Sequence, residues 1–149
     1  MKKYKHLGAY GLIVDNNYIV LVKKAKGPYT GLLDLPGGTI EYGEKPSETV
    51  IREFKEEVGV EVKDYELFDT DSVLYDYEHK GEKQVFHHVG VFYKINRYNG
   101  EIKKDIELNE ANNDSLGAEF YSLSNLKEEL SPIALMEIKK LGYKLRLKK

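Results

Sequence analysis

The sequence predicts an α/β fold in which a few helices pack on a mixed β-sheet. Three observations point there. β-Branched and aromatic runs recur along the chain, one segment switches to a clear helical period, and the runs do not alternate with helices as regular βαβ units would. The 149 residues, 41% apolar and 32% charged, suit one domain over 1–149 that buries its own core. No repeat or low-complexity linker divides it.

Leu7 to Val14 reads as the first strand. Asn16-Asn17 is a turn signal, and Tyr18 to Val22 completes a hairpin. A loop opens at Lys26-Gly27-Pro28. Gly31 to Leu35 is short and apolar, and Pro36-Gly37-Gly38 is a sharp break. Pro46 to Val58 is the best-determined helix, with Ser47, Val50, Ile51, Phe54 and Val58 on one face. Pro46 suits its first turn and Gly59 the left-handed position past its end. Val60 to Leu74 reads as strand with a break near Asp69 to Ser72, and Gln84 to Ile95 as another. The polar Leu108 to Ser115 is expected as loop, Ala118 to Leu123 as a short strand, and Leu123 to Leu130 and Pro132 to Leu141 as helices.

The absence of cysteine excludes disulfides, thiolate–zinc sites and cysteine nucleophiles. A formal charge of −2 argues against a global field for nucleic acid or membrane. The basic start is not followed by a signal-peptide core, because Gly8, Gly11 and Asp15 interrupt the apolar stretch. No window approaches a membrane span. A soluble cytoplasmic protein is expected.

The Pro46–Val58 helix has a second face. Glu53, Glu56 and Glu57 are spaced i, i+3, i+4 and share an arc of about 100°. Such carboxylates repel by about 0.2–0.5 kcal/mol per pair even when exposed. Lys55 lies on a different arc, and Arg52 is placed to pair with only one or two of them. A hard divalent cation relieves the repulsion. An isolated acidic run is ordinarily a solvated face; here a glycine turn and Glu44 precede it, which makes a loop–helix metal site.

Gly38, five residues, Glu44, seven residues, then Arg52-Glu53-Phe54-Lys55-Glu56-Glu57-Val58-Gly59-Val60 resembles the Nudix box, G-x5-E-x7-R-E-U-x-E-E-x-G-U, where U is a bulky aliphatic residue. Every fixed position of Gly38–Val60 matches, with Phe54 standing at one U position. The approach Leu33-Asp34-Leu35-Pro36-Gly37-Gly38 is similar to the family's too.

The resemblance implies an α/β/α sandwich around a central mixed sheet. It also implies a MutT-like hydrolase that uses Mg²⁺ or Mn²⁺ to cleave a nucleoside diphosphate linked to another moiety. By position, Glu53, Glu56 and Glu57 would bind metal with the Gly37 backbone carbonyl. Glu53 would also orient or deprotonate the attacking water, Arg52 would hold the carboxylates, and Glu44 would stabilise the loop–helix geometry. Gly38 and Gly59 are loop and cap positions. The family's general base varies, and Glu101, Glu107, Glu110 and Glu119 are the candidates outside the box.

Among substrates, the small single domain favours a nucleoside triphosphate or related nucleotide. The signatures associated with NADH and coenzyme A are absent, as is the proline found past the box in ADP-ribose hydrolases. Leu130 to Ala134 lacks the asparagine expected for reading an oxidised guanine. Tyr29 and Tyr77 are the substrate-binding candidates, with Tyr75 and Phe86 as further aromatics. His87 and His88 point to opposite faces of a strand and cannot share one ion. A small nucleotide is the expected partner, nucleic acid and membrane are not, and a homodimer is left open. The alternatives are a nucleotide-sensing module with little turnover and, through the basic tail Lys139–Lys149, an RNA 5′-pyrophosphohydrolase.

Overall fold

The computed structural model describes residues 1–102 and 115–142. Its strands are β1 (Lys2–Leu12), β2 (Val14–Asp15), β3 (Tyr18–Lys24), β4 (Leu33–Asp34), β5 (Gly37–Thr39), β6 (Glu61–His79), β7 (Glu82–Asn99) and β8 (Ser115–Ser122). Helix α1 (Pro46–Glu53) continues into a wider π-type turn over Phe54–Val58, and α2 spans Pro132–Lys140. One sheet has the order β5-β1-β7-β6, with β1 and β7 parallel and the other neighbours antiparallel, so it is mixed. In the other, β3 pairs with β2, β4 and β8.

Alternation along the strands builds the layers. Tyr10, Leu12, Ile19 and Leu21 join Ile133, Ala134 and Ile138 of α2 in one core. Ala9, Ile13, Val20 and Val22 point the other way and join Val50, Phe54 and Val58. Successive strand residues face opposite sides, so each helix covers one face of the strands between them. The expected sandwich is present.

Asn16 and Asn17 both take positive φ, 47° and 67°, as a tight hairpin turn between β2 and β3 requires. Pro46 opens α1, and Glu48 Oε1 accepts from the Lys45 N–H at 2.8 Å. Gly59, with φ 82°, ends the following turn.

Three elements depart from expectation. The segment Leu123–Leu130 is not helical. Its end pairs instead in a parallel bridge between Leu33 and Leu130, with the Leu33 N–H donating to Glu129 O and the Ser131 N–H to Leu33 O. Backbone groups committed to β4 cannot also close helical turns. The expected break near Asp69–Ser72 is only a bulge: β6 runs through it, with a register shift between Leu67 and Asp69. The first strand also begins earlier, at Lys2, because β7 pairs with it from Gln84 onward. The loop expected at Leu108–Ser115 lies outside the described residues, apart from Ser115, which begins β8. Among the described residues, no helix is long and apolar enough to cross a membrane.

Candidate active site

The site is built where β5 meets the end of α1. Gly37 takes a φ of 147°, and a Cβ there would lie 2.2 Å from the Ala9 carbonyl oxygen. Only glycine fits that approach. The hydrogen-bonded pairs flanking it are Gly11 N–H to Pro36 O and Ile40 N–H to Leu7 O. Gly37, opposite Tyr10, therefore sits in a non-hydrogen-bonded pair with its N–H directed away from β1. Its N–H turns to Glu57 and donates to Oε1 at 2.9 Å. A Cβ on Gly38 would lie 2.7 Å from Glu53 Oε1, so this glycine makes room for that carboxylate.

The three acids end in different surroundings along the wider Phe54–Val58 turn. The Gly59 N–H donates to Phe54 O at 2.8 Å, a five-residue reach that widens the turn. Glu57 becomes buried at 4% exposure, Glu53 is mostly covered, and Glu56 stays half exposed. They do not form one solvated stripe.

Arg52 also does more than its sequence position implies. Its Nε donates to Glu44 Oε2 at 2.7 Å and Nη2 to Glu44 Oε1 at 3.1 Å. Nη1 donates to Glu53 Oε1 at 2.8 Å and to Glu56 Oε2 at 3.5 Å, and Nη2 donates to Thr39 O at 3.1 Å. Of the three acids on the helix Arg52 thus reaches two, Glu53 and Glu56, as expected, and it adds Glu44 because the five donors of a guanidinium fan out in a plane. Glu44 further accepts from Thr49 Oγ1 at 2.7 Å and from the Glu41 N–H at 3.0 Å. The Arg52 hydrogen bonds, helped by Thr49, hold its carboxyl down at about 2. Arg52 itself is held further into its charged form, chiefly by Glu44.

These groups border a cleft of about 530 Å³. Glu53, Glu56, Arg52, Gly37 and Gly38 line one end, and Lys24 and Lys26 offer positive charge along it. The inner wall was not legible in the sequence. His88 lies on β7 with 2% exposure, its Nε2 in a hydrogen bond with Tyr10 Oη at 2.6 Å and its Nδ1 in one with Tyr29 Oη at 2.9 Å. A neutral imidazole has one N–H and one lone pair, so one tyrosine donates and the other accepts. Burial, with His6 and Lys24 nearby, pushes His88 down to about 3, and burial pushes both tyrosines up. His88, Tyr10 and Tyr29 are therefore neutral at ordinary pH. Asp34 lines it as well; its Oδ1 accepts from the Leu35 N–H at 2.8 Å and from Ser131 Oγ at 2.6 Å.

Of the aromatic candidates, Tyr29 is on this wall with its hydroxyl engaged by His88, while Tyr77 lies in an adjoining cavity. Glu101 is exposed and Glu119 half-buried beside Tyr121; neither borders the cleft. Glu107 and Glu110 lie outside the described residues, as does the tail beyond Gly142. A separate acidic group also escaped the sequence: Asp69, Asp71 and the buried Glu137 converge where α2 meets β6. The Lys140 ammonium stands among them, bonded to both aspartates and 3.4 Å from Glu137. Burial, and then Asp69, push Glu137 up to about 7. The cluster carries its own cation and lies apart from the cleft acids.

Comparisons with known proteins bear on the family and the fold. The family model for the NUDIX domain matches residues 4–139. An ADP-ribose pyrophosphatase of Methanocaldococcus jannaschii is 32% identical over 131 residues, which is 85% of this chain and 70% of that protein. The 8-oxo-dGTP diphosphatase of Escherichia coli is 39% identical over 56 residues, 37% of this chain and 43% of its own length. Among solved structures, a MutT NUDIX hydrolase from Burkholderia pseudomallei superposes with a TM-score of 0.70 at 23% identity, covering 93% of this chain and 98% of that one. A MutT protein from Bacillus halodurans gives 0.64 at 25% identity, covering 95% and 84%. A box matched at every fixed position, set on this fold and matched by the family along most of its length, has one reading: the chain belongs to the NUDIX domain family and is a Nudix hydrolase.

Proposed function

We propose that this chain is a Mg²⁺- or Mn²⁺-dependent cytoplasmic enzyme, one Nudix domain over 1–149, that hydrolyses the diphosphate bond of a nucleoside diphosphate linked to another moiety. The observation that carries this reading is the Arg52 fork. One guanidinium gathers Glu44, Glu53 and Glu56 at the cleft, while Gly37 holds Glu57 beside them.

The donor set fits such a cation. Glu53, Glu56 and Glu57 offer hard carboxylate oxygens, and the Gly37 carbonyl is a fourth candidate. A divalent ion bound there neutralises the diphosphate and lowers the pKa of its water. The chain's own residues do the positioning. Arg52 fixes the Glu53 carboxylate in the space that Gly38 leaves, so Glu53 can orient a water and accept its proton. Glu44, saturated with donors, serves as the anchor for Arg52 rather than as a ligand. The water oxygen bonds to one phosphorus as the bridging oxygen leaves with the other, giving two phosphate-bearing products.

The sequence alone puts a nucleoside triphosphate first. The relative matched along 85% of the chain is named for ADP-ribose, whereas the 8-oxo-dGTP relative matches 37% of it. This supports a two-headed nucleotide such as ADP-ribose ahead of a triphosphate. The test is a Mg²⁺ assay over dNTPs, oxidised dGTP, ADP-ribose, nucleotide sugars and dinucleoside polyphosphates, with Glu56→Gln as control. One substrate turned over at kcat/KM of about 10⁴ M⁻¹s⁻¹ or more, and lost in the control, is expected. Tight binding without turnover would replace this reading with the sensing module. Activity confined to 5′-triphosphate RNA would replace it with the RNA enzyme. Light scattering on the same preparation reports whether the chain is a homodimer.

A further inference from the structure

Helix α2 buries Ile133, Ala134, Glu137 and Ile138, so a carboxylate holds one position of an otherwise apolar stripe. Glu137 is 0% exposed, and neither of its carboxylate oxygens has a hydrogen-bond partner among the described residues. Burying a carboxylate in that state is costly, and a leucine there would continue the stripe without the cost. The position therefore asks for a ligand that the surrounding side chains do not replace.

The Glu137 carboxylate is aimed at β6. One of its oxygens, one of Asp69 and one of Asp71 all lie within 4.8 Å of one another. The two aspartates stand two residues apart on the strand, just past its bulge, and so reach the same face. Lys140 is bonded to both of them, and its Nζ is 3.4 Å from Glu137 Oε2 without a hydrogen bond to it. One ammonium against three carboxylates leaves two formal negative charges, which one divalent ion would balance. None of the three acids lines the cleft.

We propose that Asp69, Asp71 and Glu137 form a second site for a hard divalent cation, of the Ca²⁺ or Mg²⁺ class, which displaces the Lys140 ammonium and ties α2 to β6. Carboxylate oxygens are the ligands such ions prefer, and opposite ligands of Ca²⁺ stand roughly 5 Å apart, so the three oxygens fit round it where they are. The Lys140 side chain is 36% exposed on a flexible four-carbon stem, so it can swing into water as the ion enters. Asp71, half exposed, leaves the ion a path from solvent. The rival occupant is a proton held between Glu137 and Asp69.

The full chain, stripped of metal, is titrated with Mn²⁺, whose unpaired electrons broaden the NMR signals of nearby amides, and the titration is repeated in excess Ca²⁺ and in excess Mg²⁺. Wild type should lose the amide signals of Thr70, Asp71 and Ile138, and at least one of the two competitors should restore them. Glu137→Gln, which keeps the shape and removes the charge, should retain those signals at the same Mn²⁺ concentration. Asp71→Asn, altered at a half-exposed position, should do so too and serves where Glu137→Gln fails to fold. Lys140→Met should bind Mn²⁺ at the cluster about 10-fold more tightly, the scale of two partly exposed ion pairs no longer displaced. Glu56→Gln should leave the cluster's response unchanged, so the result stands apart from the hydrolase reading. Unbroadened cluster signals in wild type overturn the site in favour of the shared proton. Broadening that persists in Glu137→Gln overturns it in favour of loose binding to surface aspartates. Equal affinity in Lys140→Met overturns the exchange with the ammonium.

Discussion

Arg52 donates hydrogen bonds to three carboxylates and one carbonyl, and lysine cannot reproduce that geometry because its charge is a point rather than a planar fork. Arg52→Lys should therefore lower kcat by roughly 10²-fold, the scale of loss for a misplaced reacting group, while circular dichroism stays native. Equal activity in Arg52→Lys would show that net charge, not geometry, is what Arg52 supplies. Glu44 yields a pH prediction. Its carboxyl is held at about 2 in the fold against 4.5 as the ordinary value, so the folded state binds the proton less well. The resulting stabilisation is complete above pH 4.5 and is lost as pH falls toward 2. The denaturation gap between wild type and Glu44→Gln should be open at pH 7 and nearly closed at pH 2.

At the scale of elements, the N-terminus of α2 is tied to β4 through Ser131, whose N–H donates to Leu33 O and whose hydroxyl reaches Asp34. Ser131 Oγ donates to Asp34 Oδ1 at 2.6 Å and accepts from the Ala134 N–H at 3.2 Å. It thus caps the helix and anchors it to the cleft wall. Ser131→Ala should cost about 1–2 kcal/mol in urea denaturation, since it removes a cap and a buried hydrogen bond together. A loss under a few tenths would mean that the apolar face of α2 and the Ser131 backbone bond to Leu33 suffice to dock it. Elements also set the limits of sequence reading. The Pro46–Val58 helix was legible from its period, its opening proline and its closing Gly59, all of which are local signals. The Leu123–Leu130 segment has comparable apolar content, but its two ends bond to Asn17 and to Leu33, both roughly a hundred residues earlier. No local pattern encodes that pairing.

For the molecule as a whole, His88 joins three distant pieces: Tyr10 on β1, Tyr29 in the loop after β3, and its own strand β7. Burial leaves the imidazole neutral, at about 3 in the fold against 6.5 ordinarily. The unfolded chain therefore takes up a proton first as the solution is acidified. Stability from this group is complete above pH 6.5 and declines as pH falls toward 3. Thermal melting should show that decline, and His88→Asn should flatten it. An unchanged slope in the variant would assign the acid sensitivity to the carboxylates.

What the sequence determined by itself was everything carried by short spacing: the strand-rich fold class, the α1 helix, and the run Gly38–Val60 with its Arg52, Glu53, Glu56 and Glu57. Side chains a few residues apart on one helix have their neighbours dictated by covalent geometry. Tertiary structure decided the rest. It sent Glu57 inward to the Gly37 N–H and made Arg52 a hub for distant Glu44 and Thr39. It also brought Tyr10, Tyr29, Asp34, His88 and Ser131 to one wall. Those contacts depend on which strands pair and in what register, a choice made by burying the whole apolar surface at once rather than by any local stretch of chain.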